Sequence, residues 1–432
     1  MSTTRAVIVC GSRTPFTGVF GPFKNMDSID LGCAAVDGLL KKTGIDAEQV
    51  DALFWGGVVL PPLSPNVGRE IVIDLKLPPQ IQAKTVSRAC ASGLQAITDA
   101  VAAIENGDAE VIIAGGGDSS SNVSLTLPPE VMRAVGPYGL GKAGLVATLK
   151  KMLGLLPFKW LPKQPAVAER STGETMGDSA ERMAKENDIP RQAQDELAAR
   201  SQANAAAAWE NGTLAAEVTP VTTPSGKVVD QDLLMRPGVT LQKLSRLRPA
   251  FDKKSGKGTL TAGNSSALTD GAAAVLIMSE AKASELGMTP LAAIKSWSYV
   301  GVDPADQLLI GPAIAMPKAL KKAGLTMADM DVIDIHEAFA AQVLSVTQKL
   351  GDAEWCSSQG CAESCTVDET KLNILGGSIA LGHPFAATGA RMVTTMANEL
   401  HRSGKKYAVI GICAAGGLGA AAVLERVGGA GE

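Results

Sequence analysis

The sequence is poor in aromatic residues and in net charge. Of its 432 residues only 4% are aromatic, and the formal net charge is −4. This near balance excludes the broad basic surface of nucleic-acid binding proteins, so we expect no nucleic-acid partner. No uncharged apolar run reaches the about 18 residues that a membrane-spanning helix requires. The 46% hydrophobic content and the 46 glycines instead indicate a large core with close backbone packing.

Cysteine and histidine are scarce, which limits reactive chemistry to few positions. The 7 cysteines are an odd number in a long chain, which argues against a disulfide scaffold and favours a reducing compartment. The N-terminal residues show no secretory signal, so we expect a cytoplasmic protein. Cys356, Cys361 and Cys365 lack the tight pairs and the fourth ligand typical of a zinc site. We interpret them as part of a surface loop and expect no metal.

Strands and helices alternate over the first part of the chain. Residues 6–10 and 109–114 have the composition of buried strands, and residues 28–42 have the spacing of an amphipathic helix. This alternation predicts an α/β fold with a mostly parallel sheet. From about residue 122 to 258 the chain reads as a loop-rich insertion, after which a buried strand follows over 271–278. The predicted helices of the insertion span residues 175–187 and 191–211.

Two stretches of the chain repeat one pattern. Ala91-Ser92-Gly93 opens a predicted helix that ends near Gly107 and precedes an apolar strand. Ala387-Thr388-Gly389 opens a second helix that ends near Gly404 and precedes a strand over 407–412. The openings lie 387 − 91 = 296 residues apart, and the later glycines 404 − 107 = 297 apart. The repeat predicts two α/β halves of one design, with a site where their helix N-termini converge.

Cys90 stands between an extended segment, 82–87, and a predicted helix over 91–104. Unpaired backbone N–H groups and the helix dipole favour a thiolate there, and the thiolate is the nucleophilic form of cysteine. Small neighbouring residues leave room for a substrate. The alternative for an isolated cysteine is an inert buried side chain. A reactive role therefore requires a base and an oxyanion site elsewhere in the chain.

Other reactive residues that lie at predicted strand–helix junctions are the candidate catalytic partners of Cys90. His336 ends a predicted strand, and His383 lies in a glycine-rich turn before a helix, so both belong to the edge where α/β proteins place their sites. Cys413 ends a strand before a glycine run whose N–H groups can face an oxyanion. His401 lies late in a helix and receives no role. The joint placement of four reactive residues at strand–helix junctions favours a catalytic site over packing.

Residues 141–163 form a basic amphipathic segment within the insertion. Its apolar residues recur at helical spacing, and it carries five lysines and no acidic residue. Phe158 and Trp160 stand near its end. Such a helix can lie in a membrane interface or cover a partner protein. The alternative is a helix whose apolar face packs on its own domain.

These motifs resemble those of the thiolases over essentially the whole chain. Ser87-Arg88-Ala89-Cys90-Ala91-Ser92-Gly93 is similar to their nucleophile motif. Gly382-His383-Pro384 and Cys413-Ala414-Ala415-Gly416-Gly417-Leu418-Gly419 are similar to their other two signatures. His336-Glu337-Ala338-Phe339 departs from the common Asn-Glu-Ala-Phe motif. This departure resembles the β-subunit of fatty-acid oxidation trifunctional complexes and its bacterial anaerobic-type counterpart.

The resemblance implies a fold and a division of the chain. The implied fold is α/β, with two similar halves in five layers, αβαβα, and an inserted loop domain. We expect the N-terminal half to span residues 1–121 and 259–280, and the C-terminal half 281–432. The insertion, 122–258, would bind coenzyme A and contain the basic segment.

The resemblance also implies 3-ketoacyl-CoA thiolase chemistry in fatty acid β-oxidation. His383 would take the proton of Cys90, Cys90 would carry the acyl group, and Cys413 would protonate the departing enolate. His383 and His336 would form one oxyanion site, and the N–H groups of Cys90 and Ala415 the other. The family further implies Arg236 and Ser266 near coenzyme A, which serves as a substrate, with no bound cofactor. Arg236 in Met235-Arg236-Pro237-Gly238 and Ser266 in Ala262-Gly263-Asn264-Ser265-Ser266 occupy the matching places of the family.

The expected partners are acyl-CoA, a second copy of the chain in a homodimer, and an α-subunit with hydratase and dehydrogenase activity. Peripheral membrane contact would use residues 141–163. Two other readings stay open, a short-chain acetoacetyl-CoA thiolase and a non-catalytic scaffold subunit. A decarboxylating ketoacyl synthase or a hydroxymethylglutaryl-CoA synthase is disfavoured, because those enzymes lack a second reactive cysteine such as Cys413.

Overall fold

The computed structural model describes residues 4–155, 161, 168–361 and 365–428. The strands are β1 Ala6–Arg13, β2 Thr17–Gly18, β3 Ala52–Gly56, β4 Gln82–Val86, β5 Val111–Ser119, β6 Val221–Thr222, β7 Val228–Val229, β8 Thr269–Ser279, β9 Ala292–Gly301, β10 Val332–Ile335, β11 Tyr407–Ala414 and β12 Leu418–Arg426. The helices are α1 Ser28–Thr43, α2 Val67–Asp74, α3 Ser92–Glu105, α4 Pro129–Gly139, α5 Leu145–Leu153, α6 Met176–Glu186, α7 Arg191–Glu210, α8 Leu241–Ser245, α9 Glu280–Glu285, α10 Pro312–Ala323, α11 Ala340–Gly351, α12 Ala353–Ser358, α13 Ser378–Leu381 and α14 Ala387–Ser403.

Capping residues define the helices that the sequence predicts. The Asp27 side chain accepts hydrogen bonds from the first turn of α1, and Gly44 ends that helix in a left-handed conformation with φ of 66°. The predicted helices over 175–187 and 191–211 are confirmed as α6 and α7. The strand predicted over 109–114 is longer, because β5 continues through its glycines to Ser119.

The main sheet is mixed, so the prediction of a mostly parallel sheet is wrong. Its strands follow the order β10-β11-β12-β9-β1-β8-β5-β3-β4. The β3–β4, β3–β5 and β10–β11 pairs are parallel, and the other pairs are antiparallel. The short turn between β11 and β12 allows only an antiparallel return. The sequence between β5 and β8 is long, and its pattern does not reveal that β8 re-enters in the opposite direction.

Two half-sheets meet at one point of the main sheet, where Ile8 of β1 pairs with Ala292 of β9. Successive side chains of each strand point to opposite faces of the sheet, and each face packs against a different layer of helices. In the first half Ile112 faces the core around α3 and α14, while Ile113 faces the core around α1 and α2. In the second half Ile410 faces the same central core, while Val409 faces the core around α10 and α11. The predicted α/β fold of two halves in five layers is confirmed.

Helices α3 and α14 form the central layer and cross at their N-terminal turns. A Cβ atom on Gly93 of α3 would collide with the carbonyl oxygen of Ala386, just before α14. A Cβ atom on Gly389 of α14 would stand 2.6 Å from the backbone nitrogen of Leu94. The two glycines therefore permit a reciprocal close approach. The prediction that the repeated helix N-termini converge is confirmed.

Residues 123–167 form a compact unit of their own, separate from the unit of residues 1–122 and 168–432. The unit contains α4 and α5, and in α5 the apolar Leu145, Leu149 and Leu153 are 55%, 52% and 78% exposed. Phe158, Trp160, Lys159 and Lys163 of the predicted basic segment lie outside the described residues. The boundaries expected for the insertion, 122–258, stay a prediction. Within the part of the chain that the structure describes, no helix is long and apolar enough to cross a membrane.

Candidate active site

Cys90 lies in the short connection from β4 to α3, as the sequence predicts. The preceding residue, Ala89, has a positive φ of 45°, which is uncommon for a residue with a side chain. Ser92 stabilises this turn, since its Oγ accepts from Arg88 N at 2.8 Å and donates to Ala89 O at 2.6 Å. The turn leaves Cys90 half-buried as a residue.

His383 contacts the thiol from the C-terminal half. Its Nε2 lies 3.1 Å from Cys90 Sγ, and its Nδ1 lies 2.7 Å from Thr388 Oγ1 on the first turn of α14. The backbone N–H of His383 donates to Thr269 Oγ1 at 3.0 Å. This network suits the tautomer with hydrogen on Nδ1, which leaves Nε2 free to accept the thiol proton.

The resting thiol and imidazole are both neutral at pH 7. Burial raises the pKa of Cys90 to about 12, and it lowers the pKa of His383 to about 3, with a smaller contribution from the Arg391 cation. Arg391 lies under the site, where its Nη1 contacts Asp334 Oδ2 at 3.3 Å. The helix terminus does not leave Cys90 as a resting thiolate, because desolvation outweighs its effect. The thiol becomes nucleophilic only as it passes its proton to His383.

His336 lies beside His383, with 4.2 Å between the ring centroids. Its Nδ1 is 3.1 Å from Ser378 Oγ, and its buried Nε2 has no hydrogen-bond partner among the described residues. Burial lowers the pKa of His336 well below its usual value, so the ring is neutral. A neutral imidazole with an unpaired nitrogen is suited to hydrogen-bond a substrate oxygen or a water molecule.

Cys413 ends β11 and is buried next to Cys90. Burial raises the pKa of Cys413 well above its usual value, and the nearby Cys90 raises it further. The backbone N–H groups of Ala415 and of Cys90 itself both lower the pKa of the Cys90 thiol, with Ala415 the larger of the two. The structure thus brings together a thiol, its base, a second thiol and two N–H donors, which is the equipment of acyl transfer.

The two residues expected near coenzyme A are placed differently. The backbone N–H of Ser266 donates to Ala338 O at 2.9 Å, so Ser266 adjoins the segment that carries His336. Arg236 lies on an exposed turn, where its backbone N–H donates to Gln202 Oε1 at 2.8 Å. Gln202 in turn donates from its Nε2 to Ile379 O at 3.3 Å, so Arg236 is linked to the loop around Ser378.

Asp118 is a site residue that the sequence reasoning missed. Its buried carboxylate accepts from Val58 N at 2.8 Å, Val59 N at 2.6 Å and Ala386 N at 2.8 Å. It thereby ties the segment before α14, which carries His383, to the first half. Burial raises the pKa of Asp118 to about 7. Its position at the end of three glycines marks a close backbone approach, which is the signal that could have identified it.

Glu337 follows His336 in the chain, and the sequence pattern assigns it no role. Its Oε2 accepts from Ser201 Oγ at 2.6 Å and from Ile379 N at 3.1 Å, and its Oε1 accepts from Asn373 Nδ2 at 2.8 Å. Glu337 therefore fixes the loop around Ser378, which in turn contacts His336. No pattern in the sequence predicts these three partners.

The described residues contain no cluster of three or more His, Cys, Asp or Glu side chains that could bind a metal ion. The thiol of Cys356, on α12, contacts backbone carbonyl oxygens. Its Sγ lies 3.4 Å from Lys349 O and 3.6 Å from Leu350 O.

Comparison with known proteins gives matches along nearly the whole chain. The family model of the thiolase N-terminal domain matches residues 6–281, and that of the thiolase C-terminal domain matches residues 288–426. A 3-ketoacyl-CoA thiolase of Pectobacterium atrosepticum is 46% identical over 425 residues, covering 98% of this chain and 96% of that protein. One of Klebsiella pneumoniae is 45% identical over 427 residues, covering 98% and 97%.

Solved structures give the same result. The acetyl-CoA acetyltransferase of Bacillus anthracis superposes with a TM-score of 0.84 at 31% identity, covering 98% of this chain and 99% of that one. The human mitochondrial 3-ketoacyl-CoA thiolase superposes with a TM-score of 0.83 at 31% identity, covering 99% and 100%.

Proposed function

Because the chain belongs to the thiolase family, we propose that it is a 3-ketoacyl-CoA thiolase, an acetyl-CoA C-acyltransferase of fatty acid β-oxidation. It cleaves a 3-ketoacyl-CoA with coenzyme A into acetyl-CoA and an acyl-CoA shortened by two carbons. The observation that carries the proposal is the 3.1 Å contact between Cys90 Sγ and His383 Nε2, with Cys413 buried beside it.

The first half-reaction forms an acyl-enzyme. His383 Nε2 takes the proton of Cys90, and the sulfur attacks the 3-keto carbon. The bond between carbons 2 and 3 then breaks, and its electron pair passes to the enolate of acetyl-CoA. Cys413 donates its proton to carbon 2, which releases acetyl-CoA. The neutral resting state of both thiols supports this order, since each begins with a proton to give.

The second half-reaction returns every group to its starting form. Coenzyme A enters, and the Cys413 thiolate takes its thiol proton. The coenzyme A sulfur attacks the acyl carbon, the bond to Cys90 sulfur breaks, and His383 returns the proton to Cys90. The product is the shortened acyl-CoA, and no resident cofactor is needed.

Each of the two thioesters has its own oxyanion site. The N–H groups of Cys90 and Ala415, which act on the Cys90 thiol, would bind the oxygen of the acyl group that this residue carries. The unpaired Nε2 of His336, beside His383, would bind the oxygen of the acetyl-CoA enolate, directly or through water. Arg236 and Ser266 would contact coenzyme A outside this centre.

The proposed partners rest on two surfaces. Strand β4 pairs with β3, and the described part of the chain supplies no strand for its other edge, which supports a homodimer. In the unit of residues 123–167, exposed leucines and the lysines of α5 support contact with a membrane surface or with an α-subunit bearing hydratase and dehydrogenase activity. The cytoplasmic location stays a prediction, with peripheral membrane contact as its extension.

The test is the thiolysis rate of 3-ketoacyl-CoA substrates from four carbons upward. We expect turnover of long-chain substrates. A short-chain acetoacetyl-CoA thiolase is the second candidate, favoured by the superposition on the acetyl-CoA acetyltransferase. Activity on acetoacetyl-CoA alone would establish that candidate and remove the role in β-oxidation. Full activity of Cys90→Ala would instead support a scaffold subunit and overturn the mechanism.

A further inference from the structure

Glu169 contacts the turn that carries one of the proposed oxyanion donors. Its Oε2 accepts a hydrogen bond from Gly416 N at 3.0 Å. Gly416 follows Ala415 in the tight turn between β11 and β12, where Gly416 and Gly417 both have positive φ, of 83° and 66°. Such a glycine turn has intrinsic freedom, so an external contact is needed to fix its peptide planes.

The segment around Glu169 is itself well anchored. Its backbone N–H donates to Glu174 O at 2.8 Å, and Gly173 N donates to its carbonyl at the same distance. The Glu174 carboxylate accepts from Ser179 Oγ at 3.0 Å and from Arg182 Nη2 at 3.1 Å, both on α6. The Glu169 carboxylate is therefore presented from a closed loop that is joined to a helix.

We propose that Glu169 is a positioning residue that keeps the Ala415 N–H directed at the oxygen of the Cys90 thioester. Gly416 N belongs to the peptide unit that begins at Ala415, so a hydrogen bond to it restricts rotation of the Ala415 backbone. The Ala415 N–H already acts on the Cys90 sulfur. This inference rests on the proposed function, because it assigns Glu169 a task in the same acyl transfer.

The geometry of the contact, not its charge, is what the proposal requires. A carboxylate close to a developing oxyanion is electrostatically unfavourable, so Glu169→Gln should preserve the rate as long as its amide oxygen accepts from Gly416 N. Glu169→Ala removes the acceptor. Deleting an oxyanion donor outright costs at least about 100-fold in kcat. A donor that remains but is no longer fixed should cost less, and we expect a loss of about 10-fold in kcat with KM within about 2-fold.

The experiment compares Glu169→Ala, Glu169→Gln and a matched control, Ser171→Ala. Ser171 bonds the other carboxylate oxygen, Oε1, so its loss leaves the contact with Gly416 in place. Two quantities are measured: thiolysis kinetics with a 3-ketoacyl-CoA, and the rate of Cys90 alkylation by iodoacetamide at one fixed pH. We expect only Glu169→Ala to lose kcat and to be alkylated more slowly, because the Ala415 N–H favours the thiolate of Cys90.

Three results would overturn the inference. The first is an unchanged kcat in Glu169→Ala, and the second is an equal loss of kcat in Glu169→Ala and Glu169→Gln. The third is a loss of kcat in Glu169→Ala with an unchanged alkylation rate, which would indicate a merely structural role. None of these touches the proposed function. That would fail separately, if Cys90→Ala retained thiolysis.

Discussion

Helices α3 and α14 begin alike and carry different chemistry. Both open with a small residue, a hydroxyl residue and a glycine, and the two glycines face each other across the helix crossing. At α3 the thiol belongs to Cys90, two residues before the first residue of the helix. At α14 the preceding turn supplies His383, and the hydroxyl of Thr388 bonds its Nδ1 at 2.7 Å.

The comparison separates the features that the two halves share from the features that differ between them. The shared small residues bring two helix N-termini within reach of each other, which is a property of backbone and packing. The nucleophile and the base differ because each half contributes one of them. Neither half therefore has a working centre alone. The following variants test this division, from the largest expected effect to the smallest.

The largest loss of kcat is expected when the thiol of Cys90 is removed. We expect Cys90→Ala to lose at least about 10⁴-fold in kcat, as for other covalent nucleophiles. Cys33→Ala is the matched control, because burial also raises the pKa of Cys33 to about 12, yet this residue lies on α1 in an outer layer. Steady-state thiolysis is the measurement. Equal losses of kcat in both variants would show that Cys90 is not the specific nucleophile.

The next largest loss of kcat is expected when the imidazole of His383 is removed. We expect His383→Gln to lower kcat by about 10²–10⁴-fold, the range for general acid–base groups. His401→Gln, at the exposed end of the same helix, should leave kcat unchanged. Trapping of the Cys90 acyl-enzyme by mass spectrometry would locate the defect in acylation. Normal acylation by His383→Gln would contradict its role as the base.

Filling the helix crossing should damage the shared scaffold. Gly389→Ala places a Cβ atom 2.6 Å from Leu94 N, and we expect overpacking to cost about 1–3 kcal/mol in the free energy of unfolding. Gly351→Ala, at the end of α11 with open space around it, should be neutral or slightly stabilising. Urea unfolding compares the two. A stable Gly389→Ala would mean that the crossing is looser than the structure indicates.

Weakening the orientation of the base should have a smaller effect. Thr388→Val keeps the shape of the side chain and removes the partner of His383 Nδ1. We expect about a 10-fold loss of kcat, equivalent to about 1.4 kcal/mol, with little change in KM. Thr347→Val removes a comparable hydroxyl, bonded to Leu344 O, from α11. Identical kinetics of the two variants would leave Thr388 without a part in orienting the base.

Acid should destabilise the site through the base. The folded pKa of His383, about 3, lies below its unfolded value of 6.5. Between these values the unfolded chain binds more protons, so stability falls as the pH falls from 6.5 toward 3. The slope for this one group is at most about 1.4 kcal/mol per pH unit. Urea midpoints at pH 7.5 and 5.5 should therefore differ less for His383→Gln than for the wild-type chain.

The sequence was informative where rare residues coincide with element boundaries. Cys90, His383, His336 and Cys413 were singled out in this way, and the structure brings the four together. The roles of Asp118 and Glu337 were missed, since their partners lie far along the chain. The strand directions were predicted wrongly, and the effect of burial on the pKa of Cys90 was not foreseen. The strand directions depend on long connections and the pKa depends on burial, and no local pattern contains either.

The two members of the reactive contact, Cys90 and His383, are 293 residues apart in the chain. During synthesis the thiol therefore emerges long before its base. A partly made chain holds a protonated cysteine with no imidazole beside it, which should be inert toward acyl-CoA. Because contacts of high sequence separation form slowly, recovery of thiolysis on refolding should lag behind recovery of helical signal. The recovery of enzymatic activity therefore reports the rate of the last step of folding.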